Sequence, residues 1–242
     1  LAPARAIAGA FALTATYRYA VCARERRTIR RAFQHYVSPA VVDLLLRDPG
    51  RLKLGGEECA VTVLFTDLEG FTAFSEHLGP ETVRARLSEH FTAMVEALLA
   101  EGATLDKFIG DSVMAYFGAP VPLADHPARA CSAALAMQAR MAEITARWVA
   151  EGLPRVRMRV GINSGRVVAG NMGTATVFNY TVVGDAVNLA ARLEGANKTY
   201  GTSILVGDAT RAAAGPGFVF REIDRVRVHG RDEPVALHEL VG

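Results

Sequence analysis

Lysine is nearly missing from this chain: the basic residues are arginine except at Lys53, Lys107 and Lys198. A compact ammonium and a planar guanidinium offer a ligand different donors, so a lysine kept among arginines marks its position; the alternative is a chance solvated residue. Cysteine is sparse as well. Cys22, Cys59 and Cys131 are odd in number, far apart and outside any CxxC pattern, which argues against a disulfide framework and for a reduced compartment. The six histidines form no i, i+4 pair with a supporting carboxylate, so zinc is not expected. A formal net charge of +2 with no concentrated basic face argues against nucleic acid as a partner. There is no internal repeat, and no apolar run reaches the roughly 20 residues that cross a bilayer.

What is present suits a globular protein. With 242 residues, half of them hydrophobic, the chain can bury one substantial core and carry an appendage. Residues 6 to 16 are apolar and are followed by Arg24, Arg26, Arg27, Arg30 and Arg31, the order of a membrane helix and its cytoplasmic flank. A signal peptide would carry its charges first. Residues 1–22 are therefore expected to be the end of a transmembrane helix, the alternative being an amphipathic surface helix. Residues 23–55 read as a helical linker, with Ser38 and Pro39 opening a helix and the Gly-rich, charged stretch RDPGRLKLGGEE closing it. Residues 56–242 form the remaining domain.

In that domain a strand-like CAVTVLFT leads to a helix with Val83, Leu87, Phe91, Met94 and Leu98 on one face. Two strands flank Gly110 and Asp111. A second helix over about 127 to 151 aligns Ala130, Ala134, Met137, Met141, Ile144 and Trp148, and a strand over 156 to 162 follows. The order βαββαβ predicts an α+β, ferredoxin-like antiparallel sheet with both helices on one face. Further strands near 166 to 170, a helix over 185 to 194, and strands near 203 to 206, 218 to 228 and 235 to 241 extend the core at its C-terminus. The methionine and aromatic stripes are core packing.

Two phrases place an aspartate at a strand edge: Asp67 in FTDLEGFT and Asp111 in KFIGD. Each alone is ordinary turn chemistry. Together they offer hard oxygen ligands of the kind Mg²⁺ prefers, and two such ions roughly 3.5 to 4 Å apart can clamp an in-line phosphoryl displacement. Gly70 lets the backbone turn so that the amides of Phe71 and Thr72 face an anion. Asn188 and Arg192 lie four apart on one face of a helix, which by itself fits a surface residue and a dipole partner.

With RVGINSGRVVAGNMG from Arg159 and YTVVGDAVNLAARLEG from Tyr180 added in order, the chain resembles the class III nucleotidyl cyclases from about Cys59 onward. The phrase YVSPAVVDLLL is similar to the linker of membrane-anchored bacterial members, which implies a catalytic domain at the cytoplasmic face of the inner membrane. The resemblance implies that Asp67, Asp111 and the Leu68 carbonyl bind two Mg²⁺ or Mn²⁺ ions, and that Asn188 orients the ribose while Arg192 stabilises the transition state. Arg159 matches a contact to the terminal phosphates. Lys107 and Thr181 match the pair that selects adenine, so the expected activity is conversion of ATP to cyclic AMP and pyrophosphate. Thr181 in place of the commoner aspartate resembles the subgroup often stimulated by bicarbonate. In the family each site is completed by a second subunit, which implies a homodimer. One position departs: His229 stands where the family has a triphosphate-binding lysine, and since histidine is largely neutral at pH 7 either Arg227 or Arg231 substitutes for it or substrate affinity is weak. Two alternatives stay open, a guanylyl cyclase and a catalytically silent nucleotide-binding module. An RNA-binding reading of the ferredoxin-like core lacks the paired strand aromatics such modules use.

Overall fold

A computed structural model describes residues 17–18, 41–44, 48, 54–71, 75–76, 78–226 and 235–242. The chain divides into two compact units, residues 1–49 and 50–242. In the first, residues 17–18 and 41–44 are helical, and the rest of the expected membrane segment and most of the linker lie outside the described residues. No helix among the described residues is long and apolar enough to cross a membrane.

The second unit runs β1 (Gly55–Glu69), α1 (Pro80–Ala100), β2 (Thr104–Ile109), β3 (Ser112–Phe117), α2 (His126–Ala150), β4 (Arg157–Gly173), β5 (Phe178–Val183), α3 (Asp185–Tyr200), β6 (Ile204–Gly207), α4 (Asp208–Ala214), β7 (Phe220–Val226) and β8 (Val235–Leu240). The described strands form one sheet in the order β2-β3-β1-β4-β6-β8-β7, with β5 paired to β4. The first four strands, antiparallel in the order β2-β3-β1-β4, are the ferredoxin-like core.

The strands alternate between two faces, as period-2 geometry requires. Leu64, Leu68, Val113, Ala115 and Phe117 face α1 and α2, where Met94, Leu98, Met137, Met141, Ile144 and Trp148 complete a core of large side chains. The stripes seen in the sequence are that core. Val61, Val63, Met114, Tyr116, Val167 and Ala169 face the other way and pack with Val182, Ala186 and Ala190.

That second face holds α3 unusually close. A Cβ on Gly161 would lie 2.2 Å from the Glu194 nitrogen and 2.3 Å from the Ala190 oxygen, and one on Gly165 would meet the Ala186 Cβ at 2.7 Å. Only glycine leaves room for the helix there. Leu189 and Leu193 extend the contact to Leu205 and Leu237.

Four local expectations need correction. The strands expected at 156 to 162 and 166 to 170 are one strand, β4: the intervening Asn163-Ser164-Gly165 continues the ladder because Asn163 Nδ2 donates to the Ala186 carbonyl and Ser164 Oγ bonds Thr62 Oγ1 at 2.7 Å. Polar residues that read as a turn find their partners inside the sheet. Helix α3 runs to Tyr200 instead of Glu194 and stops at Gly201, whose φ of 65° is the left-handed C-terminal cap. The strand β5 and the short helix α4 were not foreseen, since a six-residue and a seven-residue segment carry too little periodicity to identify.

Candidate active site

Register brings the first group of residues together. Asp67 near the end of β1 stands directly opposite Arg159 on β4, and the two form an ion pair. Arg159 Nε donates to Glu194 Oε1 at 3.1 Å, so one guanidinium bridges a strand carboxylate and a helix carboxylate. On the other side of β1, the pairing of Phe65 with Met114 carries the β2–β3 hairpin alongside, with Gly110 and Asp111 as its two-residue tip. Gly110 sits at φ 64°, the positive angle that a glycine-first hairpin needs. Ser112 Oγ donates to Asp67 Oδ1 at 2.9 Å, and the Leu68 amide donates to Asp111 Oδ2 at 3.3 Å. Asp67 is thus held by the neighbour of Asp111, and Asp111 by the neighbour of Asp67.

Their electrostatics are those of a crowded acidic site. Burial raises the Asp111 carboxyl above the ordinary range, and the charge of Asp67 raises it further. Glu194 is raised in the same way, by burial first and then by Asp67, with Arg159 opposing. Clustered anions of this kind call for a cation, and Arg159 supplies one. Among the described residues no cluster of three His, Cys, Asp or Glu side chains could by itself hold a metal. The available donors are two carboxylates and the backbone carbonyls beside them, which fits a hard divalent ion that keeps positions for water or phosphate oxygens. Gly70, at φ 79°, turns the chain after Glu69, and the Phe71 side chain is buried in the α1/α2 core, which fixes the chain just past the turn. Thr72 lies outside the described residues, as do Arg227, His229 and Arg231.

A second group forms around a residue the sequence reading passed over. Asp106, whose side chain is 1% exposed, lies 2.9 Å from Lys107 Nζ through Oδ1 and accepts the Thr181 hydroxyl on Oδ2 at 2.5 Å. Lys107 and Thr181, 74 positions apart in sequence, are thus joined through one buried carboxylate. Neighbouring residues of a regular strand point to opposite faces, but the β2–β3 register shifts between Leu105 and Lys107 and leaves Asp106 as the extra residue of a bulge. The bulge is what lets Asp106 turn inward and still touch Lys107.

Asn188 and Arg192 lie on α3 and are exposed, while Ala186, Leu189, Ala190 and Leu193 of the same helix face the sheet. Glu194, two residues beyond Arg192, faces the sheet and Arg159. Its position four after Ala190 was the available signal.

Residues 56–240 match the family described as the adenylate and guanylate cyclase catalytic domain. Adenylate cyclase 1 of Rhizobium meliloti (strain 1021) is 41% identical over 182 residues, which cover 75% of this chain and 27% of that protein. The chain thus spans well under half of that relative. Among solved structures, the adenylyl cyclase CyaB from P. aeruginosa superposes with a TM-score of 0.73 at 34% identity, covering 78% of this chain and 97% of that one. The guanylyl cyclase Cya2 gives 0.72 at 35%, covering 78% and 95%. The two carboxylates brought together at the end of β1, the ferredoxin-like sheet that carries them and these similarities agree: the chain belongs to the class III adenylyl and guanylyl cyclase catalytic domain family.

Proposed function

We propose that this chain is an adenylyl cyclase, converting ATP to 3′,5′-cyclic AMP and pyrophosphate at a site shared between two copies. The observation that carries the reading is the linkage of Lys107 and Thr181 through Asp106, because overall likeness extends to an adenylyl and a guanylyl cyclase alike and does not choose the base. An ammonium can donate to adenine N1, and a threonine oxygen can accept from the exocyclic amine. Guanine presents an N1 proton and a carbonyl oxygen at the same places.

In the reaction the ribose 3′-oxygen attacks the α-phosphorus, its proton leaves, the bond to the β-phosphate oxygen breaks, and pyrophosphate departs. Two divalent cations, Mg²⁺ or Mn²⁺, held by Asp67, Asp111 and the Leu68 carbonyl, would lower the pKa of the 3′-hydroxyl and offset charge on the phosphoryl oxygens. Arg159 has five N–H donors, and its contacts to Asp67 and Glu194 leave donors for the terminal phosphates. The backbone turn at Gly70 presents amides toward the same end of the nucleotide. Thr72 and His229 belong to this reading as further phosphate contacts.

Asn188 and Arg192, exposed on α3, would complete the site of a second copy, orienting the ribose and stabilising the transferring phosphoryl group. Val168 on β4 and Val183 on β5, directly paired and both exposed, support a surface covered by that copy. The order of apolar run and arginines before residue 31 supports attachment to a membrane with the catalytic unit on its cytoplasmic side. Thr181 supports a trial of bicarbonate as activator. The test is product identification with ATP and GTP supplied together, with Mg²⁺ or Mn²⁺ and with or without bicarbonate. Cyclic AMP in excess, abolished in Asp67→Ala, is the expected result, and a predominance of cyclic GMP would overturn the choice of base.

A further inference from the structure

Thr181 alone cannot discriminate between adenine and guanine. A hydroxyl both donates and accepts, so it can take a proton from the 6-amino group of adenine or give one to the 6-oxo group of guanine. Something must fix its polarity. Thr181 Oγ1 lies 2.5 Å from Asp106 Oδ2, and a carboxylate only accepts, so the single hydroxyl proton is spent on Asp106 and the outward lone pairs can only accept. The other carboxylate oxygen forms an ion pair with Lys107 Nζ at 2.9 Å and has no further partner among the described residues. It fixes where the ammonium rests, and an ammonium with three N–H donors keeps others for a ligand. The carboxylate that sets both groups is buried to 1% exposure and sits in a strand bulge, a feature that re-aims a side chain beside a site.

We propose that Asp106 is the positioning residue for base selection: by holding the Thr181 proton it makes residue 181 an obligate acceptor, and by anchoring Lys107 it aims a donor at the neighbouring ring nitrogen. Together the three side chains read an amine next to an unprotonated nitrogen, the edge that adenine presents. The inference rests on the adenylyl cyclase reading and deepens it. It predicts that specificity depends on a residue that touches no base.

The experiment compares kcat/KM of the full chain for ATP, for GTP and for purine riboside 5′-triphosphate, which lacks the 6-amino group. The wild type should prefer ATP to the purine analogue by roughly tenfold or more, the worth of one hydrogen bond in a closed site. Asp106→Asn, and Asp106→Leu as an apolar side chain of similar shape, should bring that ratio close to one and raise the relative use of GTP. Thr181→Ser, which keeps the hydroxyl, should retain the preference. Thr181→Val should lose it, and adding Asp106→Asn to Thr181→Val should lower it no further, because both act through one bond. An unchanged ATP preference in either Asp106 variant would overturn the proposal. So would an equal fall in kcat/KM for all three triphosphates, the mark of a merely structural carboxylate. A wild type that prefers GTP would instead remove the adenylyl reading on which the inference stands.

Discussion

On one face of the sheet, α1 and α2 lay down Met94, Leu98, Met137, Ile144 and Trp148 against Leu64 and Phe117; on the other, α3 descends onto Gly161 and Gly165 with Ala186 and Ala190 beneath it. The first face gains its stability from large apolar surfaces, whose burial is worth about 1.5 to 3 kcal/mol per side chain and tolerates small displacements. The second also buries apolar side chains, Leu189 and Leu193 against Leu205 and Leu237, but at Gly161 and Gly165 it gains close approach as well. Its close approach is what allows Glu194 to reach Arg159, and Arg159 to meet Asp67 across the strands. Both sides of the sheet are packed, but the glycine-borne approach belongs to the α3 side alone among the two, so damage at Gly161 and damage in the α1/α2 core should show in different measurements.

The sharpest separation is expected at Asp67. Asp67→Ala should lower kcat by more than about a hundredfold, as loss of a group that organises transition-state charge does, with thermal unfolding nearly unmoved. Leu98→Ala should do the reverse. Deletion of a fully buried leucine from the α1/α2 face should cost about 2 to 5 kcal/mol in urea unfolding and leave the kcat of the folded protein close to wild type.

His90 gives that same face a pH dependence. It is fully buried, its ring nitrogens have no partner among the described residues, and burial lowers its pKa from 6.5 to about 4. The unfolded chain therefore binds the proton more readily than the folded one. The stability tied to neutral His90 is complete above pH 6.5 and is lost as pH falls from 6.5 toward 4, by about 3 kcal/mol over that window. Urea midpoints across the range should show this slope in the wild type and lack it in His90→Leu; equal slopes would remove His90 as its source.

Gly161→Ala probes the other face. Its Cβ would press on α3 backbone, and the expected cost of about 1 to 3 kcal/mol is smaller than that of Leu98→Ala, yet its loss of kcat should be the greater of the two. A variant in which stability and activity fall in the same proportion as in Leu98→Ala would break the comparison. At the far end of the scale, Arg84→Ala removes an exposed helix pair with Glu81 and should change stability by less than about 0.5 kcal/mol, with no effect on activity.

The α1/α2 face was readable from the chain because its residues recur with helical spacing and its helices are long. The second face was readable only in fragments. Asn163, Ser164 and Gly165 look like a turn until Ala186, Thr62 and Thr210 are brought to them by residues distant in sequence. Glu194 lay inside a recognised motif but had no visible partner until register set Arg159 opposite Asp67. Asp106 was hidden for a different reason: alternation would send it away from Lys107, and a bulge is a property of two strands together. Asp67 and Asp111 could be named in advance because each sits at the end of an apolar run, where a strand must stop or turn.

The pairing of β1 with β4 is continuous from Gly55 opposite Asn171 to Glu69 opposite Arg157. A strand held along its whole length cannot slide by one step without turning every side chain over, so this ladder behaves as a beam instead of a cable. Force applied at the Gly55 end arrives at Asp67 as tilt or translation of the entire beam. The site at Asp67 would then be retuned by moving the whole beam and not by a local slip of its register.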